Sequence, residues 1–299
     1  LALVGGTIVL LGLMTSFGAL VRVTRNPRFP MYVSLLTNVL NALFSGLGIY
    51  AFQLGIVGIA LGTVLARLVG VLILWRELDL STIRWSWGLD GELLRLSLPA
   101  AGERLMMRAG DVVIIAIVVV FGTDAVAGNA IGEVLTQFNY MPAFGVATAT
   151  VMLVAHAVGE GDMQAVGLIR QRAFWLSFAC MLPLALGIFA LGRPLTLLYT
   201  DNSGAITASL SVILFSLLGT PMAVGTVIYT AVWQGLGNAR LPFYATTIGM
   251  WLIRIVSGYL LGVTFGLGLP GVWAGTLLDN GFRWLFLKVL YDRKMREIT

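Results

Sequence analysis

Apolar runs long enough to cross a bilayer recur about nine times along the chain, at 1–20, 31–53, 55–75, 97–121, 125–156, 172–192, 205–234, 242–265 and 270–290. Such a chain has few folds open to it. In hydrocarbon every backbone N–H and C=O must bond within the protein, so only helices and closed barrels can span. The ten-residue alternation of a membrane barrel is absent. The expected fold class is therefore all-α, a polytopic membrane protein of about nine transmembrane helices. Only 11% of the residues are charged while 58% are hydrophobic, against about 25% charged in soluble domains. A water-soluble globule is excluded. The run at 125–156 exceeds one crossing and is expected to tilt or to project into the cytoplasm.

Charge sets the orientation. Connections after the odd-numbered runs carry Arg22, Arg25 and Arg28, then Arg76, Arg84 and Arg95, then Arg170 and Arg172, then Arg240. Lys288, Arg293, Lys294 and Arg296 follow at the C-terminal end, whereas the even-numbered connections carry only Arg193. This asymmetry predicts a cytoplasmic C-terminus and an outside N-terminus. The net charge of +5 is thus spent on topology, and no nucleic-acid partner is implied. The longest connection holds Trp85 and Trp87 among its charges, as suits a connector lying along the headgroups. It predicts three parts: a three-helix unit at 1–76, a cytoplasmic linker at 77–96 and a six-helix unit at 97–299.

Two of the runs also carry ionisable stripes. At about 100° per residue, Glu103, Arg104, Met107, Arg108 and Asp111 fall within an arc of about 140° on one helix. Asn129, Glu133, Gln137 and Tyr140 fall within about 80° on the next. Ionisable groups at membrane depth face a bundle interior or an aqueous cavity as a rule, which makes these stripes functional candidates. The plainer reading is structural, with Arg104 and Arg108 neutralising Glu103 and Asp111. Asp279 and Arg283, four residues apart on the last helix, are expected to form a structural ion pair, with Arg254 as a further partner. Cys180 is the only cysteine and His156 the only histidine, so neither a thiol site nor a histidine metal site can be assembled. No Gly-x-Ser-x-Gly elbow occurs. Enzymatic chemistry is not expected, and neither is a cofactor.

An internal repeat decides the architecture. Asn26, Arg28, Pro30 and Tyr32 recur as Asn238, Arg240, Pro242 and Tyr244 at a constant offset of 212, as do Ser45-Gly46 and Ser257-Gly258. One residue later in register, Gly55, Gly58, Gly62 and Thr63 match Gly268, Gly271, Gly275 and Thr276. The first three helices therefore correspond to the last three, a pattern typical of secondary transporters. Completing the first unit to six helices would place three more ahead of Leu1, in a twelve-helix, two-lobe bundle.

With these motifs in order, the chain resembles the multidrug and toxic compound extrusion (MATE) family, as its helices four to twelve. The turns at Arg28-Phe29-Pro30 and at 235–242, the glycine pattern at 54–63, and the run 140–145 followed by 158–162 and Ala165 carry the likeness. His156 stands where the family usually has Gln, and Val23-Thr24-Arg25 replaces a usual glycine pair.

The resemblance implies an antiporter of a bacterial inner membrane, exporting a small organic, often cationic compound in exchange for H⁺ or Na⁺. A monomer embedded in the lipid bilayer is the expected state. Such exchange needs carboxylates that release a proton or cation as substrate binds, and burial brings a carboxylate towards neutral-range titration. Glu133 is the preferred carboxylate because no Arg lies within a turn of it. Asp111 and Glu103 are the other candidates, and Gln137, Asn129 and Tyr140 complete the expected binding set. A lipid or lipid-linked oligosaccharide flippase of the same superfamily is the alternative, kept open by Arg104 and Arg108. An intramembrane enzyme is the alternative of another class.

Overall fold

A computed structural model describes residue 5 and residues 8–24, 28–78 and 91–298 of the chain. Most of the inter-unit linker, with Arg84, Trp85 and Trp87, lies outside the described residues, as do Leu1 and Arg25. The chain divides into two compact units, residues 1–88 and 89–299.

The first unit holds α1 (Ile8–Thr24), α2 (Phe29–Tyr50) and α3 (Gly55–Glu77). Pro30 sits in the first turn of α2, where its missing N–H has no helical partner to lose. The α2–α3 turn relies on Gln53 at φ 51° and Gly55 at φ 53°, a left-handed stretch that reverses the chain. The two helices then pack backbone to backbone. A Cβ on Gly58 would meet the Gly48 carbonyl carbon at 2.7 Å, and one on Gly62 would meet Ser45 Oγ at 2.7 Å. Glycine is what permits that approach. On the other side Val21, Val33 and Leu74 form a small core, and Phe17 meets Trp75 edge-on at 5.5 Å.

The second unit holds α4 (Gly91–Val119), α5 (Thr123–Gly159), α6 (Met163–Ala190), the short α7 (Gly192–Leu197) and α8 (Ser203–Gly235). A long rod follows: α9 (Arg240–Ile248), a π-helical stretch Gly249–Arg254, α10 (Ile255–Tyr259) and a second π-helical stretch Leu260–Thr264. The unit ends in α11 (Gly268–Ile298). Caps mark where two helices start: the Asp162 carboxylate accepts from Ala165 N–H at 2.9 Å, and the Asn202 side chain accepts from Gly204 N–H at 2.7 Å.

Counted on the described residues, nine long rods result, with no strand. Six are long and apolar enough to cross a membrane by length and composition. The remaining three are α1, of which 17 residues are described, and α4 and α11, which are interrupted by charge. The molecule is an all-α polytopic membrane protein. Its exposed leucines, such as Leu43, Leu153 and Leu218, face lipid rather than water.

Several helices outrun their apolar runs, α5, α8 and α11 at both ends. α4 starts at Gly91, ahead of the expected start at 97, and Pro99 lies inside it. Hydropathy measures the apolar layer and says nothing about where a polar helix end stops.

The repeat is visible in the packing. A Cβ on Gly275 would meet Ser257 Oγ at 2.8 Å and Gly258 N at 2.8 Å. That is the contact Gly62 makes with Ser45, with the serine shifted by 212 residues and the glycine by 213. The core of the second unit runs between α5, α6, α8 and α11, around Val154, Met181, Val224, Ile228, Trp233 and Leu287.

Candidate functional site

Several polar groups of the second unit lie along one seam, where α4 meets the rod 240–264 and α11 and side chains of α5 reach α11. From the C-terminal end of α11 inwards, the first is Glu103 on α4, which is buried. Its Oε1 accepts from the Thr246 hydroxyl of α9 at 3.1 Å, with Gln234 and the Arg283 guanidinium in electrostatic reach. A hydroxyl donor satisfies a carboxyl in either charge state, which a guanidinium does not.

Next is the pair Asp279–Arg283 on α11. Arg283 Nη2 donates to Asp279 Oδ2 at 2.8 Å and to Asn280 Oδ1 at 3.2 Å. Both side chains are buried, the carboxylate fully. The room for them comes from Gly249, the first residue of the π-helical stretch. Any Cβ there would collide with Asp279 Oδ1 and would lie 2.9 Å from Arg283 Cγ. An extra residue per turn widens the helix at this point and swings its following side chains. Asp279 Oδ1 and Arg283 Nε are enclosed without a hydrogen-bond partner, so the pair is not fully satisfied.

Arg254 closes the π-helical stretch. Its Nη1 lies 3.5 Å from Asp111 Oδ1 of α4 and donates to Met250 Sδ at 3.9 Å. The sequence reading placed Arg254 with Asp279 and Arg283; here it reaches across to Asp111 instead. Arg108 Nη1 is also 3.5 Å from the same carboxylate, but Arg108 is 83% exposed against 12% for Arg254. The α4 stripe is thus split: Glu103 turns inwards and Arg104 and Arg108 turn outwards.

The last layer belongs to α5. Asn129 is buried; its Nδ2 donates to Glu133 Oε1 at 3.1 Å, and its Oδ1 accepts from Trp273 Nε1 of α11 at 2.9 Å. Glu133 and Gln137 are exposed, and Tyr140 is half-buried with Arg254 and Arg283 in electrostatic reach. The α5 stripe therefore straddles the edge of the helix interface. The sequence reading missed Thr246 and Trp273. Their partners lie about 143 residues away, and periodicity along one helix carries no trace of them. Among the described residues no group of three or more His, Cys, Asp or Glu could hold a metal ion.

Comparison with known proteins gives a consistent picture. The MatE family model matches residues 99–260. The probable multidrug resistance protein NorM of Thermotoga maritima is 31% identical over 93% of this chain and 62% of its own length. The uncharacterized transporter YisQ of Bacillus subtilis is 24% identical over 96% of this chain and 66% of its own. The chain thus spans less than two thirds of the length of these curated relatives. A crystal structure of a MATE protein in its straight conformation superposes with a TM-score of 0.86 at 20% identity, over 99% of this chain and 69% of that one. An outward-facing multidrug resistance MATE family transporter of the MOP superfamily does so with a TM-score of 0.84, over 94% and 66%. At this identity the superpositions speak for the fold.

Proposed function

Since this chain belongs to the MatE family, we propose that it acts as a secondary antiporter, exporting small organic, often cationic compounds in exchange for H⁺ or Na⁺. One observation carries the reading. Three separate carboxylates are tied to the same repeat pair: Glu103 through Thr246, Asp111 through Arg254, and Glu133 through Asn129 to Trp273. A change of charge on any of them acts directly on the π-interrupted rod or on α11. That is the coupling an antiporter needs, because ion binding must bias one of two helix arrangements.

In this reading Glu133 and Glu103 exchange the proton or cation, since the bonds drawn to them come from neutral donors. Asp111 holds the rod through Arg254, and Asp279–Arg283 is structural. Gln137, Asn129 and Tyr140 flank the substrate path. The protein works as a monomer in the bacterial cell membrane, with its C-terminus in the cytoplasm, a reading that the arginine distribution supports. The names of the relatives, multidrug resistance proteins among them, do not favour the flippase alternative.

The test is efflux of a fluorescent organic cation from vesicles carrying the protein, under imposed H⁺ or Na⁺ gradients. Gradient-driven efflux that Glu133→Gln or Glu103→Gln abolishes, with folded protein retained, supports the antiporter and names the ion. Efflux that is absent under both gradients overturns it. Efflux indifferent to both substitutions removes these carboxylates from the coupling.

A further inference from the structure

Away from the polar seam, the start of α6 and the end of α11 line an open cavity of about 430 Å³. Met163, Gln164 and Arg170 line it from α6, and Tyr291, Asp292 and Arg296 from α11. Its size suits a small-molecule headgroup.

Arg170 is held in place before any ligand arrives. Its Nη1 donates to the Tyr229 hydroxyl at 2.7 Å, and its guanidinium carbon lies 5.2 Å from the Tyr291 ring centre and 5.6 Å from that of Tyr229. Two aromatic faces and one hydrogen bond fix the plane of the fork. Asp292 and Arg296 are different. Neither has an ion-pair partner within 4 Å among the described residues. The cavity therefore offers two guanidinium groups and one carboxylate, separately placed.

Its depth in the bilayer follows from its surroundings. One to two turns further along α6 lie Phe174, Trp175 and Phe178; Phe174 stacks on Trp284 of α11 at 5.9 Å, and Trp175 is 58% exposed. Such rings mark the boundary between hydrocarbon and headgroups. Beyond them the two helices carry Arg172, Lys288, Arg293 and Lys294, the basic rim of a headgroup layer. Exposed Leu176, Leu285 and Val289 on the same helices supply an apolar track beside the cavity.

We propose that this cavity seats an aminophospholipid headgroup, its phosphate held by Arg170 and Arg296 and its ammonium by Asp292. The phosphodiester accepts fork-like bonds from the guanidinium groups, which suit it better than a point charge would. A phosphate without an ammonium leaves Asp292 opposite an anion. A quaternary ammonium fills the space but has no N–H to donate to the carboxylate. The acyl chains lie along the exposed leucines, in the leaflet on the side where α11 ends. The site is independent of the transport reading, since none of its residues belongs to the seam.

The test is lipid retention by native mass spectrometry of the purified full chain. Phosphatidylethanolamine, phosphatidylglycerol and phosphatidylcholine of matched acyl chains are offered in equal amounts. The wild type is expected to retain the ethanolamine lipid about fivefold over either other, the worth of one charge contact near a membrane surface. Asp292→Asn should lower ethanolamine-lipid retention to the glycerol-lipid level, and Arg296→Gln should lower both by about fivefold. Equal retention of the three lipids by the wild type overturns the proposal, as does a preference that survives Asp292→Asn. Displacement of the lipid by an equal concentration of glycerophosphoethanolamine would assign the cavity to a soluble phosphate instead, and would overturn it too. Both substituted residues lie on the last turns of α11, and monodisperse elution checks that the variants fold.

Discussion

The helix pairs α2–α3 and 240–264 with α11 descend from one repeat, and they solve the same packing problem in opposite ways. Where α2 carries Thr37, the second pair carries Gly249; where α3 carries Ala66 and Gly70, α11 carries Asp279 and Arg283. In the first pair the hydroxyl of Thr37 fills the space above Gly70, whose added Cβ would lie 2.6 Å from it. In the second the space above Gly249 is filled by the Asp279 carboxylate and the Arg283 stem. Bulk has crossed from one helix to the other, and with it came charge. The first pair is regular α-helix throughout, whereas the second has two π-helical stretches, one beginning at Gly249 itself. Meanwhile the glycine contact at Gly62–Ser45 is kept as Gly275–Ser257. The lesson is that the frame of the repeat is fixed by backbone approach, while the layer one or two turns away is free to become polar.

The comparison can be broken most sharply at Arg283. Arg283→Ala leaves Asp279 charged and enclosed, and should cost about 3–5 kcal/mol of stability, read from thermal unfolding in detergent. The triple variant Gly249→Thr, Asp279→Ala, Arg283→Gly installs the arrangement of the first pair. It should recover most of that loss, because an ion pair replaced by packed neutral groups is close to neutral in stability. A triple variant no more stable than Arg283→Ala would show that the two pairs are not interchangeable.

The matched glycines come next. Gly62→Ala and Gly275→Ala each force a Cβ to within 3 Å of a serine hydroxyl and of the facing backbone. Each should cost about 1–3 kcal/mol by overpacking, and the two losses should agree, since the contacts are the same. A large loss at one position with none at the other would mean that the π-helical stretches give way where regular helix cannot.

Much of this frame was legible in the sequence. Apolar runs gave the rods because hydrocarbon demands them, and the offset glycines gave the repeat because only glycine fits where backbones touch. The pairing of Asp279 with Arg283 was readable for a local reason, their spacing of one helical turn. What could not be read lies across helices. The sequence joined Arg254 to Asp279 and Arg283 rather than to Asp111, and periodicity grouped Glu103 with Arg104 although one is buried and the other exposed. The π-helical stretches left no signal, since Arg240–Thr264 reads as one apolar span long enough to cross, like the regular helices. The neighbour of Glu133 was on its own helix, and the reach of that neighbour to Trp273 depends on how α5 and α11 cross.

The smallest effect separates the pairs as well as the largest does. Thr246 in the second pair corresponds to Ser34 in the first. Thr246 is buried and donates to Glu103, whereas Ser34 is exposed. Thr246→Val keeps the shape of the side chain and removes one buried hydrogen bond, a loss of about 1 kcal/mol. Ser34→Ala should stay within about 0.5 kcal/mol of the wild type. Stability alone does not distinguish a structural hydroxyl from one that attends an exchanging carboxyl, so cation efflux must be followed in the same variants. If Glu103 exchanges the coupling ion, Thr246→Val shifts the pH or Na⁺ dependence of efflux and Ser34→Ala leaves it where it was. An unshifted dependence in Thr246→Val would confine Glu103 to packing, and the polar layer of the second pair would then be coupled to transport through Asp111 with Arg254 and through Glu133 with Asn129 and Trp273.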